Sequence, residues 1–220
     1  MKSDLESFND MVDRVFLELW RRKTKGHVLA EQDFRDFPIK KFSVAEVSRS
    51  IRKNRNLSEE SLDRASAILA DLKVLFYFLG NVTDYFYVGT AVIVGHSNYQ
   101  NVGLNTLSVL QGNHYKVYLI TITYERILDL LELVSYNKLS DPKTNKWGKK
   151  YARLSGIAGF DLISEAEHKK MIDFRDRVRR TEIHGFSSVI RQLDAERWDH
   201  FQEEENLVRG LLLRIADKYA

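Results

Sequence analysis

The chain has 220 residues, of which 44% are hydrophobic and 30% are charged, a balance typical of a globular protein with a sizeable core. Its 34 Lys and Arg residues against 31 Asp and Glu residues give a net charge of +3, too small an excess to indicate nucleic-acid binding by itself. Cysteine is absent, which excludes disulfides, thiolate metal sites and cysteine nucleophiles. Only 2 Pro and 11 Gly residues are present, which disfavours a sandwich of many short strands.

Capping signals near the start of the chain predict N-terminal helices. The segments Ser3–Glu6 and Ser43–Glu46 both have a form in which a serine hydroxyl and a glutamate cap the first turn of a helix, and Ser164–Glu167 later in the chain has the same form. Apolar residues spaced three and four apart from Leu5 to Trp20 form one face of the first helix. We therefore predict a helical extension over residues 1–57, packed on the core. No apolar stretch follows the first basic residue, so we expect no cleaved secretory signal and a cytoplasmic protein.

The next part of the chain is markedly apolar. Ser58, followed by two glutamates, predicts the start of a helix whose apolar residues keep helical spacing as far as Phe76. Residues 74–95 are long enough to be considered as a membrane span, but Asp84 lies near their middle, where a charge is costly. We therefore predict a pair of buried helices and no membrane partner. Residues 85–115 carry no charged side chain, which indicates burial in a bundle or a dimer interface.

The second half of the chain is also predicted to be helical. Residues 117–124 are rich in β-branched and aromatic side chains, as in a strand, but the apolar residues after them have helical spacing. The intervening residues 137–163 contain Pro142 and three glycines, which predicts a long loop. Helices are predicted over residues 116–136, 164–184 and 194–219. The whole chain is thus predicted to be an all-α bundle of six or seven helices.

A cluster of arginines precedes a histidine at the predicted end of one helix. The arginines are Arg175, Arg177, Arg179 and Arg180, and His184 and Gly185 follow them. Glycine favours the end of a helix at this point. A guanidinium holds a phosphate bidentately, and a histidine titrates near neutral pH, so these residue types suit chemistry at a phosphate.

Arg179, four intervening residues and His184 resemble the Arg-x4-6-His motif of the HEPN superfamily, late in a helical chain. The resemblance implies that residues 58–220 form a HEPN-like helical bundle that pairs as a homodimer. It also implies a metal-independent endoribonuclease or an RNA-binding protein, with no cofactor. Proton transfer would then fall to His184 and contact with the scissile phosphate to Arg179.

The pattern leaves two points open. The family usually has a small polar residue after the motif arginine, and this chain has Arg180 there. Arg177 also fits the pattern, with six residues between it and His184, so the register is open between Arg177 and Arg179. In the Arg179 register, Arg177, Arg180 and Glu182 are supporting residues.

A second interpretation makes the arginine cluster structural. The cluster would then be a helix face paired with acids such as Asp176 or Glu182, in a non-catalytic interaction or scaffold module with a protein partner. Residues 194–206 contain six acidic residues against Arg197. This acidic segment is expected to pair with the arginine-rich helix, or to cover it until a partner arrives.

Residues 138–153 form a basic segment with interleaved aromatic side chains. It has six basic residues against Asp141, and this combination resembles a surface for single-stranded nucleic acid. The candidate RNA-binding residues are Lys146, Trp147, Lys149, Lys150, Tyr151 and Arg153. The alternative is a basic loop whose tryptophan packs back on the core. No metal-binding or phosphate-loop motif is present in the sequence, so we expect no metal.

Overall fold

A computed structural model of the chain describes residues 9–15, 43–54, 56–79, 102–140, 147–183 and 201–219. All regular secondary structure in these ranges is helical, so the protein is all-α, as predicted. The helices are α1 (residues 9–15), α2 (Val44–Asn54), α3 (Glu59–Leu79), α4 (Val102–Tyr136), α5 (Trp147–Ser155), α6 (Glu165–Ile183) and α7 (Gln202–Tyr219). Among these helices, none combines the length and the apolar character that crossing a membrane requires.

The chain divides into two compact units. The first comprises Met1–Tyr77, Glu125–Ile163 and Arg209–Ala220, and the second comprises Phe78–Tyr124 and Ser164–Val208. Within the first unit, α1, α2 and α3 share polar contacts. Asp13 of α1, for example, forms an ion pair of 3.2 Å with the buried Lys73 of α3.

The start of α2 is capped both locally and by α1. The hydroxyl of Ser43 accepts a hydrogen bond from the backbone N–H of Glu46 at 3.2 Å, which confirms the predicted cap. The Asp13 carboxylate accepts from the backbone N–H groups of Val44 and Ala45 at 3.0 and 2.9 Å. A carboxylate at this position also opposes the positive end of the helix dipole, so α1 and α2 hold each other in place.

The start of α3 and the end of α4 share one set of hydrogen bonds. Ser58 caps α3 as predicted, since its hydroxyl accepts from the N–H of Ser61 at 3.2 Å. Its own backbone N–H donates to the side-chain oxygen of Asn137 at 3.0 Å. The core of the first unit includes Ile51, Leu69, Leu72, Phe76, Ile127, Leu131, Trp147, Leu154, Leu212 and Ile215.

Residues 117–124 are helical, which confirms the prediction of one long helix there. Leu119, Ile120 and Tyr124 are buried. The hydroxyl of Thr123 donates to the carbonyl of Leu119 at 2.7 Å, so this buried polar group is satisfied within the helix. Burial of the apolar side chains therefore outweighs the strand preference of the composition.

The predicted loop over residues 137–163 is wrong in its middle, where α5 runs from Trp147 to Ser155. Trp147, Lys150 and Leu154 are the buried residues of this helix. Their spacing of three and four places them on one face, as in an amphipathic helix. The sequence hides this face because a lysine occupies one of its three positions.

The second unit contains the first part of α4, α6 and the start of α7. Ser164 and Glu167 form the predicted capping box of α6: the Glu167 N–H donates to the serine hydroxyl at 3.3 Å, and the Ser164 N–H donates to the glutamate carboxylate at 2.9 Å. Met171 and Phe174 of α6 are buried in this unit. The helix predicted over 194–219 is confirmed for α7, while residues 194–200 and 80–100 lie outside the described residues.

Candidate functional site

Helix α6 carries all four arginines of the predicted site. It ends at Ile183, directly before His184 in the sequence. Arg179, Arg180 and Glu182 lie on the helix. Their side chains, and the whole of His184, fall outside the described residues. The backbone thus places the motif arginine in the penultimate turn of the helix that leads directly to the motif histidine.

Arg177, the alternative motif arginine, has defined partners within the second unit. Its guanidinium donates to the Glu204 carboxylate at 2.9 Å. It also lies 5.8 Å from the ring centroid of Phe174 and 5.7 Å from that of Phe201. The two rings contact each other edge to face at 5.3 Å. The side chain nevertheless stays 56% exposed, so Arg177 is held in place with much of its surface in contact with solvent.

The acidic start of α7 pairs with basic residues of α6. Besides Arg177 with Glu204, Lys170 donates to Glu203 at 2.5 Å. This hydrogen bond, together with the positive charge of Lys170, lowers the pKa of Glu203 below its ordinary value. The predicted pairing of the acidic segment with the arginine-rich helix is therefore confirmed for these two glutamates. Arg175 pairs within α6, with Asp176 at 3.3 Å.

The basic segment around α5 is divided between the core and the surface. Trp147 and Lys150, both predicted to bind RNA, are buried in the first unit. Trp147 thus packs on the core, as expected in the alternative in which the tryptophan of this segment does not contact RNA. Tyr151 is half-buried, and its hydroxyl donates to the carbonyl of Ile163 at 3.4 Å. Lys149 is exposed, and Lys146 lies outside the described residues.

A buried ionic cluster binds α5 to α4. Lys150 pairs with Asp129, and its ammonium group lies 4.0 Å from the Glu132 carboxylate. Arg153 and the hydroxyl of Ser140 also donate to Glu132. Burial lowers the pKa of Lys150 from 10.5 to about 8, while the charge of Glu125 acts in the opposite direction. Two of the six candidate RNA-binding residues are therefore engaged by carboxylates that lie outside the basic segment.

The outward side of α5 keeps a basic and aromatic surface. Lys149 and Arg153 lie one turn apart, and the Arg153 side chain is 45% exposed. The guanidinium of Arg153 stacks over the exposed ring of Tyr136, 4.5 Å from its centroid. Lys138, two residues after Tyr136 in the sequence, is also exposed. Tyr136 is not among the residues predicted to bind RNA, and its only signal in the sequence is an aromatic residue at the end of a helix beside a basic segment.

His168 is a histidine of the second unit and is buried on α6. Its Nδ1 lies 2.7 Å from the hydroxyl oxygen of Tyr124, a hydrogen-bonding distance. Burial, and secondarily the charge of Arg175, lowers the pKa of His168 below 6.5. Within the described part of the chain, no three His, Asp or Glu side chains are grouped so that they could hold a metal ion.

Comparisons with family models, curated proteins and solved structures find no match to this chain. The function is therefore inferred from two groups of residues. The first is the α6 site, which comprises the arginines of α6 with His184 after them. The second is the α5 surface, which comprises Tyr136, Lys138, Lys149 and Arg153.

Proposed function

We propose that the chain is an RNA-binding protein of the HEPN type that cleaves RNA without a metal, acting in the cytoplasm as a homodimer. The observation that carries the proposal is the course of α6, an arginine-rich helix in an all-α protein that ends directly before His184. In this proposal Arg179 contacts the scissile phosphate, and His184 transfers a proton.

The chemistry needs only groups that such a site supplies. The 2′-OH of RNA attacks the adjacent phosphorus, and the bond from phosphorus to the 5′ oxygen breaks. A base takes the proton of the 2′-OH and an acid protonates the leaving 5′ oxygen, so the products are a 2′,3′-cyclic phosphate and a 5′-OH. A histidine performs either proton transfer near neutral pH. A guanidinium stabilises the charge that develops on the phosphate.

The contacts of Arg177 support Arg179 as the motif arginine. Arg177 packs against the rings of Phe174 and Phe201, so moving it onto a phosphate at His184 would separate it from both rings. Arg179 is the remaining arginine that has the motif spacing. In the proposal, Arg177, Arg180 and Glu182 are supporting residues.

RNA outside the cleavage site is proposed to contact the α5 surface and Lys146. Lys149 and Arg153 supply positive charge there, and Tyr136 supplies a ring on which a base can stack. Trp147 and Lys150 have a different role in this proposal. Both are buried, so they hold α5 in place rather than contacting RNA.

The test is incubation of single-stranded RNA of mixed sequence with the purified protein in EDTA, followed by analysis of the RNA ends. We expect cleavage by wild type with 2′,3′-cyclic phosphate ends, and a loss of at least about a hundredfold in His184→Ala and Arg179→Ala. Arg64→Ala is a matched control, since Arg64 is an exposed arginine that pairs with Glu60 one turn away in the first unit. Equal cleavage by wild type and His184→Ala would overturn the proposal.

The second candidate function is a non-catalytic interaction or scaffold module with a protein partner. The observation that favours it is the pairing of Arg177 with Glu204, since a helix held by ion pairs is also what a structural arginine cluster looks like. Intact RNA in the cleavage assay with every variant, together with an RNA affinity that Arg179→Ala does not change, would support this function over the first.

A further inference from the structure

The first turn of α7 carries three successive glutamates, and each of them pairs with a basic side chain in the second unit. Glu205 pairs with Lys116 of α4 at 2.8 Å, and both of these side chains are buried. Glu203 and Glu204 instead pair with Lys170 and Arg177 of α6, at 2.5 and 2.9 Å. The first pair is part of the core, whereas in the other two pairs the basic side chain is partly exposed to solvent.

Lys170 and Arg177 lie on the same face of α6. They are seven positions apart, which on a helix is two turns and about 10 Å. Their side chains are 38% and 56% exposed, so a ligand in solution reaches both. Phe174, which lies between them in the sequence, packs against Arg177 and fixes the position of the guanidinium. The result is a row of two ordered cations open to solvent on one side.

The carboxylates of Glu203 and Glu204 bind Lys170 and Arg177 in the way that two phosphates would. A carboxylate and a phosphate both offer anionic oxygens to lysine and arginine at hydrogen-bonding distance. The Glu203 side chain is 81% exposed, so it holds Lys170 in a contact that water and salt weaken. The Glu204 side chain is mostly buried and holds Arg177 more firmly. An incoming phosphate therefore competes with one weak and one stronger internal anion.

We propose that Lys170 and Arg177 form a phosphate-binding surface for the backbone of a nucleic acid, and that Glu203 and Glu204 compete for this surface in the free protein. The inference rests on the proposed function for the choice of RNA as the ligand. It adds a second contact region on α6, two to four turns before the motif histidine, and an internal competitor that lowers the affinity for RNA.

The test is the double variant Glu203→Gln with Glu204→Gln, which keeps the shape of both side chains and removes their charge. The probe is a fluorescent single-stranded 2′-O-methyl RNA, which lacks the hydroxyl nucleophile and stays intact during a binding measurement. We expect the double variant to bind the probe about five- to tenfold more tightly than wild type at low salt. We also expect a steeper salt dependence, by up to about 1.4 in the slope of log K against log salt for two phosphate contacts.

A matched control measures the general effect of removing two negative charges from the protein. Glu59 and Glu60 are likewise successive glutamates in the first turn of a helix, each paired with an arginine. Glu59→Gln with Glu60→Gln is expected to change the affinity by less than about twofold. The gain in the first double variant is expected to disappear when Lys170→Gln and Arg177→Gln are added. Glu203→Gln alone, at an exposed position, is expected to give about a twofold gain and keeps the test available if the double variant unfolds.

The outcomes separate this inference from the proposed function. An equal gain in the Glu59/Glu60 variant and the Glu203/Glu204 variant would overturn the competition, whatever the cleavage assay shows. Inorganic polyphosphate serves as a second probe, because it offers phosphates without bases or ribose. A selective gain for polyphosphate in a protein that leaves RNA intact would support the surface while contradicting the cleavage proposal.

Discussion

Glu132 is a fully buried carboxylate on α4 whose partners come from outside its helix. It accepts hydrogen bonds from the backbone N–H of Ser140 at 2.9 Å, from the Ser140 hydroxyl and from Arg153. The buried ammonium group of Lys150 lies 4.0 Å away. Because these groups are arranged around a negative charge, removing the charge leaves Arg153 without its carboxylate and the buried Lys150 with Asp129 alone.

We expect Glu132→Gln to lower the free energy of unfolding by about 3 kcal/mol, because removing one partner of a buried ion pair strongly destabilises the folded protein. Arg153→Gln is the comparison on the other side of the same bond. Its side chain is 45% exposed, so we expect a loss of only about 1 kcal/mol. Urea denaturation at neutral pH measures both values. Similar losses in the two variants would contradict the central position assigned to Glu132.

The buried pair of Tyr124 and His168 predicts a pH dependence of stability. The pKa of His168 is lowered in the folded protein, so the unfolded chain takes up the proton first as the pH falls. Stability from this group is therefore complete above pH 6.5, is lost as the pH falls from 6.5 to the lower pKa of the folded state, and changes no further below it. The slope is at most about 1.4 kcal/mol per pH unit.

Comparison with His168→Gln isolates this effect, because the other titrating groups are common to both proteins. We expect wild type to lose more stability than the variant between about pH 7.5 and about pH 5.5, measured by urea denaturation. The same loss in both proteins would mean that His168 takes up its proton equally in the folded and unfolded states.

Asn137 links two helices by its conformation and by its side chain. It follows the last residue of α4 with a φ of 54°, in the left-handed region that asparagine tolerates better than most residues. Its side-chain oxygen accepts from the backbone N–H of Ser58, and its carbonyl accepts from the hydroxyl of Ser61 at 3.2 Å. The end of α4 is thereby fixed to the start of α3.

Substitutions at Asn137 separate the two roles. Asn137→Gly keeps the backbone conformation and loses the side-chain bond, so we expect a loss of about 1 kcal/mol in the free energy of unfolding. Asn137→Ala also brings backbone strain, so we expect about 2 kcal/mol. Asn137→Asp keeps the acceptor oxygen and serves as the control. Thermal unfolding measures the order, and equal stability of the Ala and Gly variants would show that the conformation carries no strain.

The predictability of the elements depends on how local their signals are. Ser43, Ser58 and Ser164 were recognised as caps from the sequence, because capping involves residues within one turn of each other. Helix α5 was missed, because the buried position of Lys150 depends on Asp129, 21 residues earlier in the chain. A window of sequence contains the positive charges of residues 138–153 and not the carboxylates that pair with two of them.

The same limit applies to the charge pattern of the whole chain. The sequence predicts a basic segment, and the structure pairs Lys150 and Arg153 with α4 while Lys149 stays exposed. The acidic segment was expected to meet the arginine-rich helix, and Glu204 does pair with Arg177. Opposite charge was thus enough to predict that two segments pair. The partner of each side chain required the structure.

In the proposed chemistry, a homodimer supplies both the base and the acid that cleavage needs. Cleavage needs a base and an acid, and the motif supplies one histidine per chain, so in the proposed homodimer the two chains contribute their His184 to one site. After exchange of subunits in an equal mixture of wild type and His184→Ala, about a quarter of the dimers carry two histidines. We therefore expect the mixture to cleave RNA at about a quarter of the rate of the same total concentration of wild type.

Light scattering on the same samples establishes whether the protein is dimeric at the concentration of the assay. A tagged and an untagged chain, purified together after mixing, establish that subunits exchange. A rate of about half that of wild type would mean that each histidine works alone, so that the second proton transfer uses water or another side chain. A quarter of the rate requires both histidines, because only a site that fails when either is absent falls with the square of the wild-type fraction.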